Sequence, residues 1–251
     1  MTPDKEGIQK VIQEKLARVR DLVAAADRVA VLSGAGISAA SGIPTFRGAQ
    51  DSMWSRYRPE DLATPEAFAR DPELVWRWYD WRRELIAASG PNPAHTALAR
   101  LEDHTDMTVI TQNVDGYHQQ SGSRKVLEFH GSIWRIRCTA CGDEIEDRRV
   151  PLPIPPRCDK CGGLLRPGVV WFGEGIDPDI MTGSTVAVSE SRVLLVIGTA
   201  GMVHPAAGLA DLARANGVPV CEFNVEASLL TPHVDIFIPG DAAETLPRIV
   251  P

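Results

Sequence analysis

Apolar positions divide the chain into one amphipathic opening segment followed by several short apolar runs. Residues 5–26 carry apolar side chains mostly three or four positions apart, which predicts a helix. The later runs are five to seven residues long and are bounded by turn residues, which predicts buried strands. The predicted strands are residues 28–33, 107–112, 192–198, 218–223 and 234–238.

Helical stretches at residues 94–103 and 206–216 separate several of these strands, so we expect an α/β fold with a mostly parallel sheet covered on both faces. Two segments do not fit this alternation. Residues 45–90 are rich in Trp, Arg and helix formers, and residues 133–166 hold four cysteines and a proline cluster. We interpret both as insertions that build a second, smaller domain. The predicted large domain then consists of residues 1–44, 91–132 and 167–251.

The composition is that of an ordinary globular protein, with 251 residues, 44% hydrophobic and 24% charged. The formal net charge of -7 argues against binding to nucleic acid, whose phosphates attract basic surfaces, and leaves basic peptides as partners. No apolar run reaches the roughly 18 residues that span a bilayer, and no secretion signal is visible. We therefore expect a cytoplasmic protein that contacts neither membranes nor nucleic acid. A monomer is expected as well, although nothing in these features determines the oligomeric state.

Four of the five cysteines form two short pairs. Cys138 and Cys141 make the first pair and Cys158 and Cys161 the second, with sixteen residues between the pairs. This spacing predicts a four-thiolate zinc site, in which each pair supplies two tetrahedral ligands. Four thiolates leave no open position for water, so the expected zinc is structural. Cys221 lies in an apolar run, and we interpret it as a buried core thiol.

The first predicted strand runs into the sequence GAGISA at residues 34–39, a Gly-x-Gly-x-x-Ala turn typical of dinucleotide binding. In that interpretation Gly34 allows a tight turn, Gly36 lets the backbone approach a pyrophosphate, and Ala39 permits close helix packing. A strand, turn and helix without a ligand remains the alternative. The acid that dehydrogenases place about 20 residues further on is missing, so the turn favours NAD but not hydride transfer.

Further motifs follow the turn in a fixed order. The chain reads GAGISAASGIPTFRG at 34–48, TQNVD at 111–115, EFHG at 128–131 and VVWFGE at 169–174, with the cysteine pairs before the last motif. Over residues 20–245 it resembles the sirtuin family of NAD-dependent protein lysine deacylases. The resemblance implies a Rossmann-like parallel sheet with a small domain, a helical module plus a zinc ribbon, inserted into it. NAD and an acyl-lysine peptide would enter the cleft from opposite sides.

The resemblance also implies a role for several residues in NAD chemistry. His130 matches the family's general base, and an imidazole titrates near working pH; a structural histidine is the alternative. Asn113 and Asp115 match positions that hold nicotinamide and ribose, and Phe46 and Arg47 match a lid over NAD. The full set of implied NAD contacts is Gly34, Ala35, Gly36, Ser38, Ala39, Thr45, Phe46, Arg47, Gln112, Asn113, Asp115, Gly198, Thr199, Ala200, Asn224, Val225, Glu226 and Ala242. The histidines expected to be surface or structural residues are His95, His104, His118, His204 and His233.

The chain departs from the family at Ala200, where a serine is common, so one phosphate-side hydroxyl is lost. On the substrate side, the resemblance implies main-chain pairing with the peptide along one segment. That segment contributes Val169, Val170, Phe172, Gly173 and Glu174.

A second substrate feature concerns the acyl group. Tyr79 and Arg82 are three residues apart in a predicted helix, so both point to one side, and together they suit a carboxylate. The pattern is similar to sirtuins that remove succinyl, malonyl and glutaryl groups, and Ala63 would leave room for the longer acid. The alternative is that Tyr79 and Arg82 only pack within a Trp-rich helix. Since members with this pair also deacetylate, we expect both activities.

Three other functions remain alternatives. A protein mono-ADP-ribosyltransferase would use the same scaffold and NAD but would label protein instead of releasing O-acyl-ADP-ribose. A zinc-ribbon binding module tethered to a nucleotide sensor would keep the cysteines without needing His130. A nicotinamide dehydrogenase would need the missing ribose-binding acid.

Overall fold

A six-stranded parallel sheet forms the centre of the computed structural model, which describes residues 5–44 and 57–250. The strand order is β3-β2-β1-β7-β8-β9, and a second sheet, of order β5-β4-β6, is antiparallel. In chain order the strands are β1 (Arg28–Ser33), β2 (Asp106–Thr111), β3 (Val126–Glu128), β4 (Gly131–Cys138), β5 (Glu144–Glu146), β6 (Leu165–Val169), β7 (Val193–Ile197), β8 (Val220–Asn224) and β9 (Ile236–Pro239).

Helices cover both faces of the large sheet and one face of the small sheet. In chain order they are α1 (Lys5–Ala24), α2 (Pro59–Leu62), α3 (Pro65–Arg70), α4 (Pro72–Ala88), α5 (Pro93–Leu101), α6 (Tyr117–Gln120), α7 (Pro178–Glu190), α8 (Gly208–Ala215) and α9 (Ala242–Thr245). Within the described ranges, no helix is both long enough and apolar enough to cross a membrane.

The strand order of the large sheet reverses between β1 and β7. Parallel pairing aligns Ser33, the last residue of β1, with Ile197, the last residue of β7. The helices that connect onward from them, α5 before β2 and α8 before β8, cover opposite faces of the sheet, and open α/β sheets bind ligands at such a point. The expected α/β fold with a Rossmann-like sheet is confirmed, and its switch point predicts the position of a nucleotide site.

Strand β1 shows why both faces of the sheet are buried. Val29 and Val31 point into a cluster shared with α1, α5 and α9, while Ala30 and Leu32 point into a cluster shared with α7 and α8. Every residue of β1 after Arg28 is buried, as expected of a strand covered on both sides. Each face therefore has its own aliphatic core, and β1 is fixed between them.

The antiparallel sheet packs against α4 instead. The indole of Trp76 donates to the Leu165 carbonyl at 2.7 Å, and its ring lies in a third hydrophobic cluster. The guanidinium of Arg83 is completely buried and donates to the carbonyls of Ile133 at 2.9 Å and Asp147 at 2.5 Å. Two insertions far apart in sequence thus form one packed unit, although the exact domain boundaries stay a prediction.

The predicted elements agree with the structure to within about two residues at most ends. All five predicted strands are present, and residues 57–90 are helical apart from short turns. The elements not predicted individually are the edge strand β3, the small-sheet strands β4, β5 and β6, and the helices α6, α7 and α9. The helix that follows the Gly-x-Gly turn after β1 is a 3-10 helix, Ala35–Ser41.

Candidate active site

The loop after β1 lies directly against the loop after β7. The amide of Gly34 donates to the Ile197 carbonyl at 2.9 Å, and the amide of Gly36 donates to the Gly198 carbonyl at 2.8 Å. A Cβ on Gly36 would lie 2.6 Å from the Gly198 Cα, so this close approach requires glycine. Packing against Gly198 thus requires glycine at position 36, in addition to the expected approach to pyrophosphate. Ala39 is exposed, so the helix packing expected of it does not occur.

Three predicted residues tie the loop after β1 to the loop after β2. The Asn113 side-chain amide donates to the Gly34 carbonyl at 3.1 Å and to Ser38 Oγ at 3.2 Å. The Ser38 hydroxyl donates to Asp115 Oδ2 at 2.7 Å, and the Tyr117 amide donates to Oδ1 at 3.0 Å. Burial raises the pKa of the Asp115 carboxyl, while these two hydrogen bonds lower it. Asn113, Ser38 and Asp115 therefore form one hydrogen-bonded unit.

His130 lies between β3 and β4 and is half-buried. Its Nδ1 is 3.0 Å from the Gln112 carbonyl oxygen. Because a carbonyl only accepts, Nδ1 carries the proton and Nε2 keeps its lone pair. Burial lowers the pKa of this imidazole below its ordinary value of 6.5, and the hydrogen bond to Gln112 partly offsets the shift. The neutral ring therefore presents Nε2 as a proton acceptor, which a general base requires.

Beneath these loops lies a buried polar chain that the sequence analysis did not identify. The Ser33 hydroxyl donates to Thr111 Oγ1 at 2.9 Å, and His118 Nε2 lies 2.8 Å from Ser33 Oγ. Thr111 Oγ1 also accepts the Asn113 amide at 3.1 Å. Burial lowers the pKa of His118 to about 3 and that of His95 to about 4, so both rings stay neutral. The exposed histidines are His104, His204 and His233.

The residues expected on the adenosine side follow the carboxyl ends of β7 and β8. The Asn224 side chain donates to the Thr199 carbonyl at 3.0 Å, and the Gln112 side chain donates to the Thr199 hydroxyl at 3.2 Å. The same edge exposes Ala200, Val225 and Glu226. Ala242, expected at adenine, is buried in the hydrophobic core. The expected lid and its start lie outside the described part of the chain; they comprise Thr45, Phe46 and Arg47.

The predicted acyl pocket brings α4 next to the segment after β6. Tyr79 and Arg82 lie about one turn apart on α4, and the Arg82 guanidinium carbon is 5.0 Å from the Trp78 ring centre. Burial raises the pKa of Tyr79 to about 12, although the positive charge of Arg82 opposes the shift. The Phe172 amide donates to the Ala63 carbonyl at 2.9 Å. The predicted acyl-side residues therefore lie in one region of the fold.

Residues 169–174 form the end of β6 and the turn after it, where peptide pairing was expected. The Val170 amide already donates to the His130 carbonyl at 2.9 Å, and the Glu174 amide donates to the Trp171 carbonyl at 3.0 Å. The Glu174 carboxylate accepts the Trp171 amide at 2.8 Å, so it is engaged within the turn. A peptide added here as a strand has to use the other main-chain groups of this segment.

The four predicted zinc ligands come together at the end of the small sheet. Their Sγ atoms all lie within 4.8 Å of one another. The Cys138–Cys161 sulfurs are 3.5 Å apart and the Cys141–Cys158 sulfurs 3.8 Å apart. Tetrahedral zinc with Zn–S bonds of about 2.3 Å places its sulfurs roughly 3.8 Å apart, so the four thiols fit this ion. Cys221 is fully buried in the core of the large sheet, as expected.

The structure thus brings the predicted residues together in two places. A neutral imidazole and a polar loop lie at the switch point of the parallel sheet, where a dinucleotide would bind. A phenol and a guanidinium lie on the acyl side, where a carboxylate would bind. The contacts of Ser33, Thr111 and Trp171 could not be predicted from local motifs, because their partners are distant in sequence. Trp171 lies inside the motif VVWFGE, but nothing in the motif indicates that its partner is Tyr79.

Comparison with known proteins agrees with this description. The Sir2 family profile matches residues 34–205. NAD-dependent protein deacylase 2 of Pyrobaculum aerophilum is 55% identical over 234 residues, which cover 92% of this chain and 93% of that protein. The NAD-dependent protein deacylase of Aquifex aeolicus is 50% identical over 223 residues, which cover 88% and 93%.

Solved structures are similar over the same length. A complex of a Sir2 homologue with NAD has a TM-score of 0.89 and 45% identity, and the match covers 93% of this chain and 92% of that one. A complex of Sir2 with a p53 peptide and NAD+ has a TM-score of 0.83 and 29% identity, with 93% and 96% covered.

Proposed function

The chain belongs to the Sir2 family, and on that premise we propose that it is an NAD-dependent protein lysine deacylase with a pocket for acidic acyl groups. Its substrates would be NAD and acyl-lysine proteins, carrying succinyl, malonyl or acetyl groups. The products would be nicotinamide, O-acyl-ADP-ribose and free lysine. The curated relatives carry the name deacylase, and a related structure holds a peptide together with NAD+.

One observation carries the proposal: the fixed orientation of His130. In the proposed reaction the acyl oxygen attacks C1′ of the nicotinamide ribose, the bond to nicotinamide breaks, and a ribose hydroxyl must then lose a proton. His130 Nδ1 donates to the Gln112 carbonyl at 3.0 Å, so Nε2 is the atom that takes this proton. Burial keeps the imidazole neutral before the step by lowering its pKa.

The remaining NAD-side residues would position the reacting groups. Asn113, Ser38 and Asp115 hold one another by hydrogen bonds of 2.7 to 3.2 Å, so a ligand would meet a loop that is already ordered. Gly34 and Gly36 hold the loop close at the switch point, where pyrophosphate would lie, while their own amides donate to the Ile197 and Gly198 carbonyls. Thr199 and Asn224 would serve the adenosine side in the same way. Ala200 supplies no hydroxyl there, so main-chain amides would replace it.

On the acyl side, Arg82 and Tyr79 would bind the terminal carboxylate of a succinyl or malonyl group. The guanidinium offers charge-assisted hydrogen bonds, and the phenol remains protonated because its pKa is raised to about 12. Ala63 leaves space beside them. An acetyl group has no carboxylate and would make neither of these polar contacts. Acetyl-lysine would therefore depend only on the NAD-side residues and His130.

The cysteine cluster would hold one structural zinc, whose chemistry is to fix the ribbon and not to activate water. The ribbon would in turn support α4 through Arg83. The division into a large NAD domain and a small domain, the monomeric state and the cytoplasmic location complete the proposal.

Product analysis tests the function directly. Wild-type protein is incubated with NAD and a matched pair of acetyl-lysine and succinyl-lysine peptides, and the products are weighed by mass spectrometry. We expect equal amounts of nicotinamide, O-acyl-ADP-ribose and free lysine from each peptide. Transfer of ADP-ribose to protein, with the acyl-lysine intact, would show the transferase alternative instead.

A further inference from the structure

Trp171 touches the acyl pocket through a single hydrogen bond. Its indole Nε1 donates to the Tyr79 hydroxyl oxygen at 3.0 Å, and both side chains are at least nine-tenths buried. Since an indole nitrogen only donates, the Tyr79 oxygen is the acceptor in this bond. The hydroxyl has one proton of its own, and this proton must point elsewhere.

The second polar contact of Tyr79 is left open by the part of the chain that the structure describes. Within residues 5–44 and 57–250, the Tyr79 hydroxyl has no hydrogen-bond partner besides Trp171. A buried O–H group without an acceptor is costly, and the cost is recovered when a ligand supplies one. Because Arg82 lies one turn further along α4, the ligand atom that suits both side chains is a negatively charged oxygen.

Trp171 itself is fixed from several sides. The Arg166 guanidinium carbon lies 3.5 Å from the indole ring centre, and the ring of Phe68 lies 5.3 Å away. Arg166 also donates to the Glu174 carboxylate at 2.8 Å, and that carboxylate accepts the Trp171 main-chain amide at 2.8 Å. The indole therefore has little freedom to rotate away from the Tyr79 hydroxyl.

We infer that Trp171 is a specificity-determining positioning residue that makes the Tyr79 hydroxyl a hydrogen-bond donor toward acyl groups ending in a carboxylate. The inference rests on the proposed function, since it assigns a further residue to the acyl pocket described there. The indole does not touch the acyl group. It fixes the direction of the phenolic proton, so that a terminal carboxylate is bound and a terminal methyl group gains nothing.

The test compares kcat/KM for succinyl-lysine and acetyl-lysine peptides in Trp171→Phe, Tyr79→Phe and the double variant. Trp171→Phe keeps an aromatic ring against Arg166 and Phe68 but removes the N–H. We expect the succinyl-to-acetyl ratio to fall by roughly tenfold, the size of one hydrogen bond to a charged group. In the Tyr79→Phe background the same change should leave the ratio unaltered, because no hydroxyl remains to be oriented.

Two controls separate orientation from packing. Phe68→Leu loosens the packing around the same ring without touching the hydrogen bond, so it should change both substrates alike. Butyryl-lysine reports on pocket size, and Trp171→Phe should not lower its kcat/KM relative to acetyl-lysine. Thermal unfolding of each variant confirms that the fold is retained.

The outcomes distinguish this inference from the proposed function. Equal loss of both activities in Trp171→Phe, or an undiminished effect in the Tyr79→Phe background, overturns the role of Trp171 alone. A wild-type protein that does not process succinyl-lysine, or whose preference is unaffected by Tyr79→Phe, overturns the acidic-acyl pocket itself.

Discussion

The two sides of the cleft are built from different kinds of interaction. On the NAD side, short polar side chains such as Asn113, Ser38 and Asp115 fix one another, and His130 is fixed by a main-chain carbonyl. On the acyl side, a phenol and a guanidinium stand among aromatic rings. In the proposed function the NAD side would meet every substrate in the same way, whereas the acyl side would meet a different acyl group in each. The first would set the rate of all deacylation and the second its selectivity.

The two sides also rest on different foundations. The NAD-side loops leave parallel strands that are packed on both faces by aliphatic residues. The acyl side belongs to α4, which packs on a three-stranded sheet and is joined to it by the buried Arg83. That small sheet ends in four thiols placed for a metal. Loss of metal should therefore damage the acyl side first.

The largest expected effect is that of Cys138→Ser. A structural zinc contributes on the order of 10 kcal/mol to the folding of a small metal domain, so loss of one ligand should release the ion and disorder the ribbon. Metal content should fall from about one per chain to near zero, and deacylation should cease. Hydrogen exchange should increase in β4, β6 and α4, while β1 and β7 stay protected.

The matched control is Cys221→Ala, which removes the buried cysteine outside the cluster. It should keep the metal and lose only the stability of one small core side chain, about 1 kcal/mol. Unchanged metal content in Cys138→Ser would exclude Cys138 as a ligand. Unchanged exchange in α4 would show that the acyl side does not depend on the ribbon.

The next effect is confined to the NAD side. His130→Ala removes the proton acceptor, and general-base catalysis is worth about 10²- to 10⁴-fold in rate. We expect kcat to fall by that factor for succinyl-lysine and acetyl-lysine alike, with the fold intact. His104→Ala, at an exposed histidine, serves as the control and should have no effect. A loss restricted to one acyl substrate would place His130 on the acyl side and break the comparison.

Most of the fold could be predicted because the central strands are continuous apolar runs. The sequence VAVL at 29–32 is buried on both faces, so an uninterrupted apolar run predicts this strand without knowledge of its neighbours. No such run predicts strand β3, because its three residues are only half-buried at the sheet edge. The 3-10 helix after β1 also escaped prediction, because the packing of Gly36 against Gly198 shapes that turn.

The candidate site was predictable only where its residues form local motifs. Asn113, Asp115 and His130 stand in short recognisable segments. The bond from Trp171 to Tyr79 joins residues 92 positions apart, and that from Ser33 to His118 joins residues 85 positions apart. Such pairs depend on how sheets and helices pack, which no local pattern reports.

A smaller effect is expected from Arg82→Met, which changes the acyl side alone. Loss of a charge-assisted hydrogen bond should lower kcat/KM for succinyl-lysine by roughly tenfold to a hundredfold. The loss for acetyl-lysine should be much smaller. Arg77→Met is the matched control, because Arg77 is an exposed arginine on the same helix, paired with Glu73. Equal losses for both peptides would show that Arg82 does not bind the acyl carboxylate.

The smallest expected effect is that of pH on selectivity. Burial lowers the pKa of His130 below 6.5, so the base form persists at neutral pH and is lost only as the pH falls through that lowered value. Both substrates should therefore share one acid limb in kcat/KM. Burial raises the pKa of Tyr79 to about 12, and an arginine stays charged, so the acyl side does not titrate near neutral pH. The succinyl-to-acetyl ratio should accordingly stay constant between about pH 7 and 9, since the acyl carboxylate is ionised throughout. If the ratio drops across that range while the acetyl rate is steady, the phenol ionises there and the two sides of the cleft are not independent.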